Sequence, residues 1–139
     1  MALPLLLIVV GVLLHHLRVL YRSPLHLRKQ RYHPYGYVYF YKGKYEPLPM
    51  VKIGKASHNR LVARLKEQRT ANPFGLHVYA VIRIRNHHRV ERYLHNKFAN
   101  LRVSKRNEWF WLSPYLWLYI RLVSDKKLTR KTRKALTPR

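Results

Sequence analysis

Apolar and polar residues change their spacing several times along the chain, and each change marks an expected element. Ala2 to Leu14 is apolar apart from Gly11, with no charged side chain before Arg18. Such a run makes about 20 Å of helix, whereas residues 2–21 reach about 30 Å, enough to cross a bilayer with His15, His16 and Arg18 near the headgroups. The basic flank Arg18, Arg22, Arg28, Lys29 and Arg31 follows the apolar run, and no small-residue cleavage site is present. An uncleaved anchor that keeps the rest of the chain on the cytoplasmic face of a membrane is therefore expected. The alternative is an apolar helix packed on the domain or a partner, in a cytoplasmic protein.

From Tyr35 the spacing becomes a strict alternation. Tyr35, Tyr37, Tyr39 and Tyr41 fall on one face of a strand, with Gly36, Val38 and Phe40 on the other. Lys42-Gly43-Lys44 and Pro47-Leu48-Pro49 lead to a second strand, Met50 to Gly54. If Val38, Phe40, Val51 and Ile53 share a buried face, Tyr39 and Lys52 emerge together on the other. A helix follows, capped by Ser57 or Asn59, with Leu61, Val62 and Leu65 as its apolar stripe; it ends at Thr70-Ala71-Asn72-Pro73. Leu76, Val78, Ala80, Ile82 and Ile84 alternate with His77, Tyr79, Val81, Arg83 and Arg85 and predict a central strand. Helical spacing returns over residues 86–100, with Val90, Tyr93, Leu94 and Phe98 inward and Glu91 and His95 one turn apart beside them. The aromatic run Trp109 to Leu112 closes the sheet or its edge, Tyr115 to Val123 reads as another apolar helix, and a mobile basic tail ends the chain.

The fold expected is α/β of the α+β kind, a small three-stranded antiparallel sheet flanked by helices. Its parts are an apolar N-terminal segment (1–22), a basic linker (23–34), the domain (35–113), and an apolar helix with basic tail (114–139).

Charge sharpens this picture. Twenty-nine Lys and Arg face five Asp and Glu, a formal charge of +24. A composition 47% hydrophobic is too apolar for a disordered basic tail, so the cations belong to a folded polyanion binder. Nucleic acid relieves such self-repulsion through counterion release; an anionic membrane surface is the rival partner. With no cysteine, thiol nucleophiles, Cys-ligated zinc, iron–sulfur clusters and disulfides are excluded. Nine histidines show no HExxH spacing, the single Asp near the C-terminus leaves no Ser-His-Asp triad, and no glycine-rich phosphate loop occurs. Among the acids, Glu91 stands out: one turn before His95, it either holds a divalent metal or makes a salt bridge to Arg89, Arg92 or Lys97. Glu67 can pair with Arg60 or Arg64, and Asp125 can cap the tail region.

In order along the chain stand Tyr37-Val38-Tyr39, Val51-Lys52-Ile53-Gly54, Arg64-Leu65-Lys66-Glu67, Thr70-Ala71-Asn72-Pro73, Glu91-Arg92-Tyr93-Leu94-His95 and Asn107-Glu108-Trp109-Phe110. This series resembles the GIY-YIG nuclease superfamily over about Tyr35 to Ser113. It is most similar to the branch found in phages and large DNA viruses, in which the second motif reads KIG and the domain closes on an EWF-like signature. The resemblance implies an endonuclease that hydrolyses phosphodiester bonds in DNA, or RNA, with one Mg²⁺ or Mn²⁺. Tyr39 would position or activate the attacking water, and Arg64 would stabilise charge on the scissile phosphate. Glu91 would hold the metal. Lys52, standing for the second motif's tyrosine, would bind phosphate or lower a water's pKa. Asn107 falls at the late asparagine, and His95 would carry a proton. Lys55, Arg60, Lys66, Arg69, Lys105 and Arg106 would contact the nucleic acid. Tyr37 departs from the first-motif glycine. The other reading is a non-catalytic nucleic-acid-binding protein of the same fold, held on a membrane or within a particle.

Overall fold

The fold is that of a computed structural model, which describes residues 10, 11, 14, 35–43, 49–72, 75–105 and 107–137. The chain divides into two units, Met1–Tyr32 and His33–Arg139. In the first, Val10, Gly11 and Leu14 are described and are helical. No helix among the described residues is long and apolar enough to cross a membrane; the expected anchor at 2–21 falls mostly outside them, as does the linker at 23–34.

The described residues of the second unit form four strands and four helices. In chain order these are β1 (Tyr35–Gly43), β2 (Met50–Ser57), α1 (Leu61–Thr70), β3 (Leu76–Arg85), α2 (His87–Lys97), β4 (Trp109–Trp111), α3 (Pro114–Val123) and α4 (Lys126–Leu136), with a 3₁₀ turn at Ala99–Leu101. The strands form one antiparallel sheet in the order β3-β1-β2-β4. The sheet is thus four-stranded and not three-stranded: the run at Trp109 is a strand of its own, too short for its alternation to be read.

Register sorts the side chains into two layers, because cross-strand partners share a face. On one face lie Val38 opposite Ile82, and Phe40 between Ala80 and Ile53; helix α2 packs against these strands. On the other face Tyr39 sits between Gly54 and Val81, and Tyr41 between Lys52 and Val78. There Tyr39, Tyr41, Ala56, Val78 and Val81 cluster with Leu61 and Leu65 of α1 and Leu136 of α4. Both faces of β1 are therefore covered, and each large side chain so buried contributes about 1.5–3 kcal/mol.

Two expectations about the Leu76 strand change. β3 is an edge strand, and its alternation is broken by a bulge: Phe40 opposes Ala80 while Tyr41 opposes Val78, leaving Tyr79 extra. Leu76 and Val78 thereby join the tyrosine layer, and Ala80, Ile82 and Ile84 belong to the opposite one. The edge is covered by α4. Thr129 Oγ1 accepts from Val81 N at 3.0 Å, Asp125 N donates to Val81 O at 3.0 Å, and Arg133 donates to Val78 O (2.7 Å) and Tyr79 O (2.9 Å). The expected tail is thus a docked helix over Lys126–Leu136, capped by Asp125, whose carboxylate accepts from Leu128 N at 2.9 Å. Neither Ser57 nor Asn59 caps α1; its N-cap is Arg60, with no side-chain bond. Asn86 caps α2 from the left-handed region, at φ 53°.

Candidate active site at the free edge of the second strand

Strand β4 pairs with Met50, Val51 and Lys52, and one further bond runs from Ile53 N to Glu108 O at 3.1 Å. Past that point the outer edge of β2 is met by α2: His95 Nε2 lies 3.0 Å from Ile53 O. A carbonyl can only accept, so His95 Nε2 carries the proton there. Helix α2 reaches this edge from one face of the sheet and Tyr39 from the other.

Gly54 makes the approach of Tyr39 feasible. A Cβ at Gly54 would lie 2.5 Å from both Cζ and the hydroxyl of Tyr39. The phenol therefore crosses the β2 backbone where only a glycine fits, and the KIG tripeptide has a physical reason beside its place in a motif. Tyr39 is 1% exposed. Burial raises its pKa, the positive charge of the nearby Arg64 guanidinium opposes that rise, and the charges of Glu108 and Glu91 add to it. The phenol is neutral at physiological pH. Arg64 projects from α1 and is braced by Glu67 at 3.4 Å, and Glu67 also takes Arg60 at 2.9 Å.

Glu91 is a buried carboxylate, 7% exposed. Its partner is Lys55 on β2, with Nζ 2.9 Å from Oε2, and not Arg89, Arg92 or Lys97; His95 Nε2 lies 3.9 Å from the other oxygen. His87, one turn earlier on α2, has a buried Nε2 without a hydrogen-bond partner among the described residues. Its pKa is lowered, first by burial and then by the His88 and Lys55 charges, so it is neutral at pH 7. No group of three or more acidic or histidine side chains converges as a metal site among the described residues. A single buried carboxylate that already faces a cation nevertheless suits Mg²⁺, which keeps several waters and takes its remaining ligands from substrate phosphate.

Lys52 lies on the Tyr39 face, as expected. Its Nζ donates to Gln68 Oε1 at 2.6 Å and stands 3.5 Å from Glu108. Asn107 turns inward on its own backbone, its Oδ1 accepting from Trp109 N at 3.2 Å. It shapes the turn that presents Glu108. The Asn-Glu-Trp-Phe run points to Asn107 and leaves Glu108 ambiguous, and no sequence signal marks Gln68. Of the expected nucleic-acid contacts, Lys66 and Lys105 are exposed, and Arg60 is held by Glu67. Lys55 is engaged by Glu91, and Arg69 donates to Leu136 O at 2.6 Å, tying α1 to α4. Arg106 lies outside the described residues.

The small antiparallel sheet of this strongly basic chain thus brings a phenol and a buried carboxylate to neighbouring residues of β2, with a guanidinium acting on the phenol. Residues 36–125 match the T5orf172 domain, and the chain belongs to that family, a phage-associated domain of the GIY-YIG/HNH-like endonuclease type. No curated protein and no solved structure matches the chain.

Proposed function

We propose that the protein is a metal-dependent endonuclease that hydrolyses phosphodiester bonds in DNA at the edge of β2. The meeting of Tyr39 and Glu91 at neighbouring residues of β2 carries this reading: the phenol lies against Gly54 from one face of the sheet, Glu91 reaches Lys55 from the other, and the Arg64 charge acts on the phenol. Arg64 faces the non-bridging oxygens, where charge accumulates as water attacks phosphorus, the P–O bond to the leaving oxygen breaks and the water's proton ends on that oxygen by way of solvent. Tyr39 stays protonated and orients the attacking water through its hydroxyl. Lys52, steadied by Gln68 and Glu108, adds positive charge beside the phosphate. Glu91 would hold one Mg²⁺ or Mn²⁺ once Lys55 turns from it to a phosphate, and an ion there would supply Lewis-acid polarisation of the phosphate. His95 keeps its Nε2 on Ile53 O and fixes the helix edge that carries Glu91.

Supercoiled plasmid incubated with the full chain and Mg²⁺ is expected to be nicked, and Glu91→Ala or Arg64→Ala to lower the rate by about 10²-fold or more. Unchanged nicking in both variants defeats the site assignment. Tight, salt-sensitive binding with no cleavage under Mg²⁺ or Mn²⁺ selects the non-catalytic nucleic-acid-binding reading.

A further inference from the structure

The open end of the tyrosine layer holds a cluster that the hydrolytic site does not use. Tyr35 opposes Arg85 and Tyr37 opposes Arg83 across the β1–β3 ladder, so all four side chains share the face that carries Tyr39. The Arg83 guanidinium lies 4.8 Å from the centre of the Tyr35 ring and that of Arg85 lies 5.1 Å from it; Arg85 Nη2 also donates to the Tyr35 hydroxyl at 3.0 Å. Both arginines are exposed, and neither is ion-paired among the described residues, where the carboxylates of Glu67, Glu91 and Glu108 take other cations. Two guanidinium groups held against one ring, with no acid between them, repel each other in the free protein and are relieved by an anion. Their planar forks suit phosphate oxygens better than the compact ammonium of a lysine would.

Position identifies the anion. Tyr35 and Tyr39 are four residues apart on β1, about 13 Å at the rise of a strand. A nucleic-acid strand carries one phosphate per nucleotide, so that span takes in a few successive phosphates. We propose that Tyr35, Arg83 and Arg85 form a phosphate clamp that grips a nucleic-acid strand a few nucleotides from the phosphate held at Tyr39 and Arg64. The clamp rests on the nuclease reading for its distance from the cleaved bond; the binding itself does not depend on cleavage.

The test is the salt dependence of binding by the full chain to a short labelled duplex without divalent metal, followed by fluorescence anisotropy between about 50 and 200 mM salt. The double variant Arg83→Gln/Arg85→Gln, altered only at exposed positions, is expected to bind several-fold more weakly. Its slope of log affinity against log salt should be shallower by about 1.8, two lost phosphate contacts. Tyr35→Leu should weaken binding in the same direction and Tyr35→Phe much less, since the ring that gathers the guanidiniums is kept. An unchanged slope in a double variant with wild-type melting temperature overturns the clamp. So does an unchanged slope on DNA joined to lost binding of phosphatidylserine vesicles, which would assign the surface to a membrane. A shallower slope in a protein that nicks no plasmid keeps the clamp and rejects the hydrolytic reading; plasmid nicking with an unchanged slope does the reverse.

Discussion

At the scale of single residues, the site depends on a missing side chain as much as on those present. Gly54 gives the Tyr39 ring its path across β2, where the Arg64 charge acts on the phenol. Gly54→Ala is expected to force the ring away, because the added Cβ has no room and the ring is locked by α1 on its other side. Overpacking of this kind costs about 1–3 kcal/mol. Chemical denaturation should register that loss, and plasmid nicking should fall by far more than the stability change explains, as the Tyr39–Arg64 pair is displaced. Should Gly54→Ala nick at the wild-type rate, the phenol's placement is not what the reaction needs. Tyr41, packed edge-on against Tyr39, has a different part. Its hydroxyl donates to Leu65 O at 2.9 Å and its pKa is pushed up to about 12 by burial, so it fastens α1 to the sheet as a neutral group. The four tyrosines of β1 thus divide between packing under α1 and standing at the open end.

At the scale of elements, the hydrophobic pattern made β1, β2, α1 and α2 legible, because each buries an aliphatic or aromatic stripe at its own period. The pattern could not reveal α4. Its buried positions are Thr129, Thr132 and Leu136, and its attachment to β3 runs through a threonine hydroxyl and a guanidinium in place of an apolar face. The β3 bulge was hidden for a related reason: the residues around Tyr79 continue the alternation, and only the register with β1 shows that one residue is unpaired. Glu91 stands out in the sequence as a helix carboxylate in need of a cation, but that the cation is Lys55, and that Gln68 holds Lys52, is not legible, because these partners come from distant elements. Arg133 tests this account of α4. Arg133→Met should strand two carbonyls at the bulge and destabilise the protein by about 1–3 kcal/mol. Lys131→Met, on the exposed face of the same helix, should shift stability by no more than about 0.5 kcal/mol. Equal urea midpoints for the two variants would mean that side-chain bonds to the β3 edge do not hold the helix.

At the scale of the molecule, charge balance decides how the free protein behaves. The four described acids are committed: Glu67 to Arg60 and Arg64, Glu91 to Lys55, Glu108 to Lys52, and Asp125 to the cap of α4. The exposed Lys126, Lys127, Arg130, Lys131 and Lys134 of α4 recur at spacings of one, three and four residues and make one cationic face. Repulsion among like charges acts across the whole surface, whereas the surface pairs at Glu67 contribute little. Salt therefore removes more repulsion than attraction. As the screening length falls from about 30 Å at 0.01 M to about 10 Å at 0.1 M, the free protein should gain on the order of 1 kcal/mol, a rise of several degrees in melting temperature. Duplex DNA added at low salt should raise it further, by about 2.7 kcal/mol when its sites stand at 100 times the dissociation constant. High salt should reverse that second gain while leaving the first, because it abolishes binding but keeps the free chain screened. Thermal melts across a salt series, with and without DNA, separate the two terms. A melting temperature that falls steadily with salt in the DNA-free protein would mean that the few ion pairs outweigh the uncompensated cations, and that the excess charge is not waiting for a polyanion.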